Sequence, residues 1–364
     1  MTDISRSAVE KALAQYQDPY LQTDLINAGC LRSLDIIGSE VQAEFVLGYA
    51  AAGIRSGIEQ MLQVAVENLE GVSSARISVR CEIQTAPAQG SIAALENVRN
   101  IVAVASGKGG VGKSTTAVNL ALALAREGAR VGILDADIYG PSMGLMLGLP
   151  EGTRPEVKDQ KFFVPPRAHG VQVMSMAFLV DDKTPMVWRG PMVSGALMQL
   201  LTQTAWDDLD YLVVDMPPGT GDIQLTLAQK VPVTGAVIVT TPQDLALLDA
   251  KKGIEMFAKV NIPVLGIVEN MAIHICSNCG HAEHLFGEGG GERLANDYGV
   301  DLLASMPLSM MIREQTDAGA PTVVAEPECQ ISMLYQDMAR HVGARIAERA
   351  RTGGAMPDIS ISDE

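Results

Sequence analysis

The chain has 364 residues, 47% of them hydrophobic and 19% charged, with a formal net charge of −16. That length accommodates two domains, one of them large, and the acidic balance argues against non-specific nucleic-acid binding and against docking on anionic membranes, which both need basic surface. No apolar run approaches about 20 residues, Met1 to Glu10 carry no secretory pattern, and five unevenly placed cysteines do not suggest a disulfide framework, so a cytoplasmic protein without a transmembrane helix is expected.

In chain order, residues 1–84 read as a small α+β unit. Val9, Leu13 and Tyr16 fall at helical spacing. Leu34–Ile37 and Val41–Leu47 read as strands joined at Gly38-Ser39. A helical stripe runs through Ile58, Leu62, Ala65 and Leu69, and Ala75 to Ile83 alternates as a strand does. Residues 85–99 form a linker by composition, opening with Thr85-Ala86-Pro87-Ala88-Gln89-Gly90-Ser91.

From Asn100 the pattern changes to short apolar strands alternating with helices. The strand candidates are Ile101–Ala105, Val131–Leu134, Tyr211–Val214, Ala236–Thr240 and Val264–Val268. The fold class is therefore α/β over residues 100–352: a mostly parallel sheet flanked by helices, with ligands at the carboxyl ends of the strands. Glu328 to Arg351 reads as a last helix, with Ile331, Leu334, Met338, Val342 and Ile346 near one face. Residues 353–364 are polar and acidic and are expected to be a disordered tail.

The most informative stretch is Gly107-Lys108-Gly109-Gly110-Val111-Gly112-Lys113-Ser114, followed by Thr115. It fits G-x-x-x-x-G-K-[ST] and lies between a predicted strand and a predicted helix, the context of a P-loop NTPase. Its glycines let backbone N–H groups converge on phosphate oxygens of ATP, and the helix N-terminus adds partial positive charge. Lys113 is placed for the β- and γ-phosphates, and the Ser114 hydroxyl for Mg²⁺. A second lysine, Lys108, resembles the extra lysine of the deviant loop in partitioning, cell-division, arsenite-transport and nitrogenase-reductase ATPases. That resemblance implies a cation reaching a partner's nucleotide across a dimer interface, as an arginine finger does.

Carboxylates follow two of the strands. Asp135 and Asp137 can orient an attacking water or hold the metal's shell. Asp215 opens Asp215-Met216-Pro217-Pro218-Gly219 and stands where a Walker B acid serves Mg²⁺, with the following glycine N–H available to sense a γ-phosphate. A helix cap or a solvated turn is the bland reading of each.

Cys276-Ser277-Asn278-Cys279 is C-x-x-C, with His281 and His284 close behind. It can be a zinc half-site, a redox dithiol, half of a cluster site or two structural thiols. A tetrahedral zinc or a four-iron cluster wants four ligands, and the chain offers two close thiols. A symmetric dimer supplies the other two; an intramolecular zinc with His281 and His284 is the competitor. Cys30 and Cys81 read as small buried hydrophobes, and the sequence assigns Cys329 no role.

Taken together, these motifs resemble the Mrp-type iron–sulfur carrier ATPases, cytosolic relatives of the cell-division and partitioning ATPases. The matching stretches are Val104 through Thr116, Asp135 through Ser142, Val187 through Met192, Leu209 through Asp222, Thr240 through Asp244 and Val268 through Cys279. The resemblance implies a homodimer that holds a [4Fe-4S] cluster on the paired Cys276 and Cys279, receives it from upstream donors and passes it to apoproteins. It implies ATP on Gly107 to Thr115, Lys108 and Lys113 in catalysis, Asp137 on the attacking water, Asp215 and Ser114 on Mg²⁺, and Asn270 on the adenine edge. Asp18-Pro19 and Asn27-Ala28-Gly29 resemble the small iron–sulfur assembly domain often fused to this family. Where that domain commonly has a cysteine before a proline, this chain reads Gly48-Tyr49-Ala50-Ala51-Ala52-Gly53, so a docking or structural role is expected of it. The alternatives are a positioning ATPase acting on membrane or DNA, with C-x-x-C as a structural zinc half-site, and a nitrogenase-reductase-like electron donor. The first would need basic surface, and the second well-separated cluster cysteines.

Overall fold

The computed structural model of the chain describes residues 4–90, 95–138, 140–179, 190–276 and 278–353. Of the features expected above, the acidic tail beyond Gly353, Ser277, Tyr139 and Val187 to Arg189 lie outside the described residues.

In the first unit, helix α1 (Arg6–Leu13) is started by Ser5, whose hydroxyl accepts the Ala8 N–H. Strands β1 (Leu31–Ile37) and β2 (Glu40–Leu47) form an antiparallel hairpin. Helix α2 (Arg55–Glu67) then leads to β3 (Ser74–Cys81), which pairs parallel with β2. Ile58, Leu62 and Val66 recur every fourth residue, so one face of α2 enters the core that holds Phe45 and Val79. Each fully buried aliphatic side chain there contributes roughly 2 kcal/mol. The Asp18 and Asp24 carboxylates each accept two backbone N–H groups and tighten the turns before β1.

The second unit is built on a nine-stranded sheet. Its strands are β4 (Val98–Ala105), β5 (Val131–Asp135), β6 (Val171–Ser175), β7 (Leu209–Asp215), β8 (Gly235–Thr240), β9 (Val264–Ile275), β10 (Ala282–Glu283) and β11 (Leu302–Leu308), with Arg167–Ala168 on one edge. The parallel order is β6-β5-β7-β4-β8-β9-β11. β5, β6, β7 and β8 are buried at every position, which is why β5, β7 and β8 read as apolar runs rather than alternating ones. The helices are α3 (Lys113–Arg126), α4 (Gly190–Gln203), α5 (Asp222–Lys230), α6 (Asp244–Lys259), α7 (Gly290–Tyr298) and α8 (Gln330–Thr352). They pack in two groups, α8 on α3, and α4 to α7 in succession. From β4 the chain moves out to β5 and β6, returns to insert β7 beside β4, then builds β8, β9 and β11 on the other side. That reversal leaves a crevice at the carboxyl ends of the central strands.

The segment expected to be a linker is held at its start. The Asn100 side chain is fully buried; it accepts the Ala86 N–H and donates to the carbonyls of Gln84 and Asp210. Gln89 and Val233 exchange backbone hydrogen bonds. Helix α8 joins the two units: Ala344 is part of the first unit's core, and a Cβ added to Gly48 would lie 2.8 Å from that of Ala347. Tyr20 donates to Asp337 on α8 (2.8 Å), and Glu127, the residue after α3, pairs with Arg340 and accepts the Gly53 N–H (2.9 Å).

Candidate functional site

The loop from Gly107 to Gly112 follows β4, and α3 begins at Lys113. Two of its glycines are forced by close approaches. Gly112 has φ 82°, and a Cβ there would sit 2.2 Å from the Asn270 amide nitrogen; a Cβ on Gly107 would sit 2.2 Å from the Asp249 carbonyl. The Asn270 amide donates to the Val111 carbonyl (2.8 Å) and so braces the loop from behind. In this position the amide nitrogen is engaged by the loop backbone. Lys108 is half-buried and, among the described residues, pairs with no carboxylate.

Adjacent parallel strands bring the acids together. Asp135 and Asp215 are direct register partners at the ends of β5 and β7. The Lys113 ammonium lies 2.5 Å from one Asp215 oxygen and 3.8 Å from Asp137, and Ser114 donates to the other Asp215 oxygen (2.6 Å). Ser114 and Asp215 thus offer two hard oxygens side by side, the donor type that suits Mg²⁺. Burial raises the Asp215 carboxyl above its usual range, against the pull of Lys113. Asp135 is fully buried and accepts from the N–H groups of Asp137, Ser142 and Met143 and from the Ser175 hydroxyl. Burial, reinforced by the Asp215 charge, pushes its carboxyl up to about 7. Asp135 therefore organises the loop that carries Asp137, and Asp137, with 13% of its side chain exposed, faces the lysine. The Gly219 N–H donates to the Ser106 carbonyl (2.9 Å) rather than standing free for a phosphate.

The sequence suggested that the fifth strand ends at Val268. It continues as β9 to Ile275, and Cys276 follows directly. β10 folds back on it, pairing His274 with Glu283 and Ile275 with Ala282. The Cys276 N–H donates to the His281 carbonyl (2.9 Å) and the Gly280 N–H to the Cys276 carbonyl (2.9 Å). The two cysteines therefore sit at the tip of a hairpin arm, Cys276 half-buried and Cys279 exposed. Backbone N–H groups of Asn278 and Cys279, with the Cys279 thiol, lower the pKa of the Cys276 thiol. Among the described residues, no group of three or more His, Cys, Asp or Glu side chains could hold a metal ion. The His284 ring is turned to the Ala272 carbonyl (2.9 Å), at the root of the arm and away from its tip.

Of the residues singled out by sequence, Lys113, Ser114, Asp137 and Asp215 meet in one cluster, while Cys276 and Cys279 stand apart on the arm. Cys30 is buried, and burial pushes its thiol up to about 11; Cys81 is half-buried. Cys329 caps α8, its sulfur accepting the Ser332 N–H (3.4 Å). Sequence reasoning missed that cap because cysteine is not among the residues that ordinarily start a helix. It also missed the central place of Asp135; the signal was an acid ending an otherwise apolar strand.

Comparison with known proteins places this geometry. The family described as NUBPL iron-transfer P-loop NTPase matches residues 97–343, and the family described as iron–sulfur cluster assembly protein matches residues 6–79. An iron–sulfur cluster carrier protein of Pseudomonas fragi is 76% identical over 279 residues, covering 77% of this chain and 97% of its own. The Escherichia coli K12 protein of the same name is 50% identical over 341 residues, covering 94% and 92%. A nucleotide-binding protein of Archaeoglobus fulgidus, solved in complex with ADP, superposes with a TM-score of 0.57 at 40% identity, covering 65% of this chain and 91% of that one. The cell-division ATPase MinD of Pyrococcus furiosus shares the fold, with a TM-score of 0.51 at 24% identity over 67% of this chain and 98% of that one. No helix among the described residues is long and apolar enough to cross a membrane. The chain belongs to the NUBPL iron-transfer P-loop NTPase family, joined at its N-terminal side to an iron–sulfur assembly domain.

Proposed function

We propose that this protein is an ATP-dependent carrier of iron–sulfur clusters: a cytoplasmic homodimer that takes a [4Fe-4S] cluster from upstream donors, holds it between two copies and delivers it to apo client proteins. The observation that carries this reading is the arm. It presents two thiols at an exposed tip, and no third ligand from the same chain stands beside them among the described residues. Four sulfurs then require a second copy related by a two-fold axis. The names borne by close relatives support the same cargo.

In the nucleotide site, Lys113 exchanges Asp215 for the charge of the β- and γ-phosphates, and Asp215 and the Ser114 hydroxyl turn to Mg²⁺. When bound, Mg²⁺ neutralises charge on the phosphates. Asp137 orients the attacking water. Lys108 of a second copy adds positive charge where the transition state develops negative charge. Hydrolysis so arranged needs the same pairing of chains that the cluster needs, which ties cargo to nucleotide.

The test is anaerobic reconstitution followed by iron, sulfide and mass determination. The wild type is expected to hold about two irons per chain in a particle of twice the chain mass. Cys276→Ser with Cys279→Ser is expected to lose the iron while binding ATP within about two-fold of wild type. Unchanged iron in that variant, or a loaded particle of one chain, would overturn the reading.

A further inference from the structure

We propose that Met271 is a positioning residue whose left-handed backbone sets the cysteine arm against the phosphate loop, so that nucleotide in the loop reorients Cys276 and Cys279. The proposal rests on the reading that these cysteines hold the cargo, and it concerns how the two sites communicate.

Three observations converge on this residue. First, strand β9 touches the phosphate loop at its middle and runs out to Cys276, which follows its last residue; Asn270 grips the Val111 carbonyl, and the Met271 methyl lies 4.0 Å from where a Gly112 Cβ would be. Second, Met271 has φ 58°, a conformation that a residue with a side chain rarely adopts. Third, the ladder to β11 slips here. Glu269 pairs with Ser305 and Ile273 with Pro307, so four steps along β9 match two along β11. Such a bulge re-aims the strand that carries it. On either side the chain is tied down. The Glu269 carboxylate accepts the Gly291 N–H (2.6 Å), and the Ala272 carbonyl accepts from His284, which closes the arm. The unmatched joint is therefore Asn270 to Ala272, between the loop brace and the arm's root. A shift of Val111 on nucleotide binding is passed to Asn270, and the arm turns about residue 271 as a unit.

The test is site-resolved alkylation of Cys276 and Cys279 in cluster-free protein, with and without a non-hydrolysable ATP analogue and Mg²⁺. In the wild type the nucleotide is expected to change the alkylation rates by about five-fold or more. Met271→Gly frees the backbone and is expected to cut that response to under about 1.5-fold, with analogue affinity held within about two-fold. Met271→Asn tolerates the left-handed conformation and is expected to keep the wild-type response. Wild-type rates indifferent to nucleotide, or a full response in the glycine variant, overturn the proposal. Should the glycine variant fail to fold, the asparagine variant decides: a lost response with nucleotide still bound is equally fatal. Iron content is measured separately, so failure of the carrier reading and failure of the joint give different results.

Discussion

Asp135 shows how much chemistry one buried carboxyl can organise. It is the register partner of Asp215 and gathers four donors from the loop and strand around it. Because burial, with the Asp215 charge, lifts its folded pKa to about 7 from the ordinary carboxyl value of 3.8, the folded chain keeps a proton that the unfolded chain has already released. Its contribution to stability is thus largest at low pH and falls as pH rises through that window. Asp135→Asn imitates the protonated form and carries no such dependence. We expect the wild type to lose stability relative to Asp135→Asn between about pH 4 and about pH 7 in denaturant titrations; a gap that stays constant with pH would refute this. Most of the residue-level site was legible because the phosphate loop constrains spacing: once Lys113 and Ser114 are set, acids at the ends of neighbouring strands must face them. Asn270 and Gly219 were not legible, since their partners, Val111 and Ser106, are backbone carbonyls that no side-chain pattern announces.

Elements were readable where burial is two-sided or strictly periodic. α2 and α3 followed from their apolar spacing, and β4, β5, β7 and β8 from short runs of Val, Ile and Leu. β6 and β11 were not recognised. β6 carries Gln172 and Ser175 among its buried residues, and β11 contains Pro307, so neither reads as a simple apolar run. The far half of β9 was missed because His274 and Ile275 belong to the arm and lack the cover that makes a strand uniformly apolar. Helix α3 has a second role at its far end. Glu127 is completely buried; it pairs with Arg340, accepts the Gly53 N–H, and gives its own carbonyl to the Ala52 N–H. The loop from Gly48 to Gly53, where cysteine chemistry was doubted, is a docking loop in this fold. Glu127→Ala leaves the Arg340 guanidinium buried without its partner and is expected to cost roughly 3–5 kcal/mol. Chemical denaturation should then show the first unit separating ahead of the second. A single unshifted transition would show the clamp to be dispensable.

At the scale of the whole molecule, the net charge of −16 sets the terms on which two copies can meet. Like-charged chains repel, and salt screens that repulsion over about 10 Å at 0.1 M. If pairing completes the nucleotide site, ATP hydrolysis per chain should rise with protein concentration, and added salt should shift that rise to lower concentration. Lys108→Ala should keep ATP affinity but lower the hydrolysis rate by about a thousand-fold. A variant that hydrolyses at the wild-type rate would remove the reason for a lysine at that position. The division into two units was legible from the change of pattern near Asn100, but their mutual grip was not. The residues that make it, Tyr20, Glu127 and Arg340, lie far apart in the chain and form no local motif.

That grip bears on how the protein is made. Helix α8 lends Ala344 to the interior of the first unit and packs Ala347 against Gly48, yet it is the last helix described. A ribosome extrudes the opening eighty residues long before this helix exists. The nascent N-terminal portion must therefore wait with an uncovered apolar flank until α8 has been made and has folded against it.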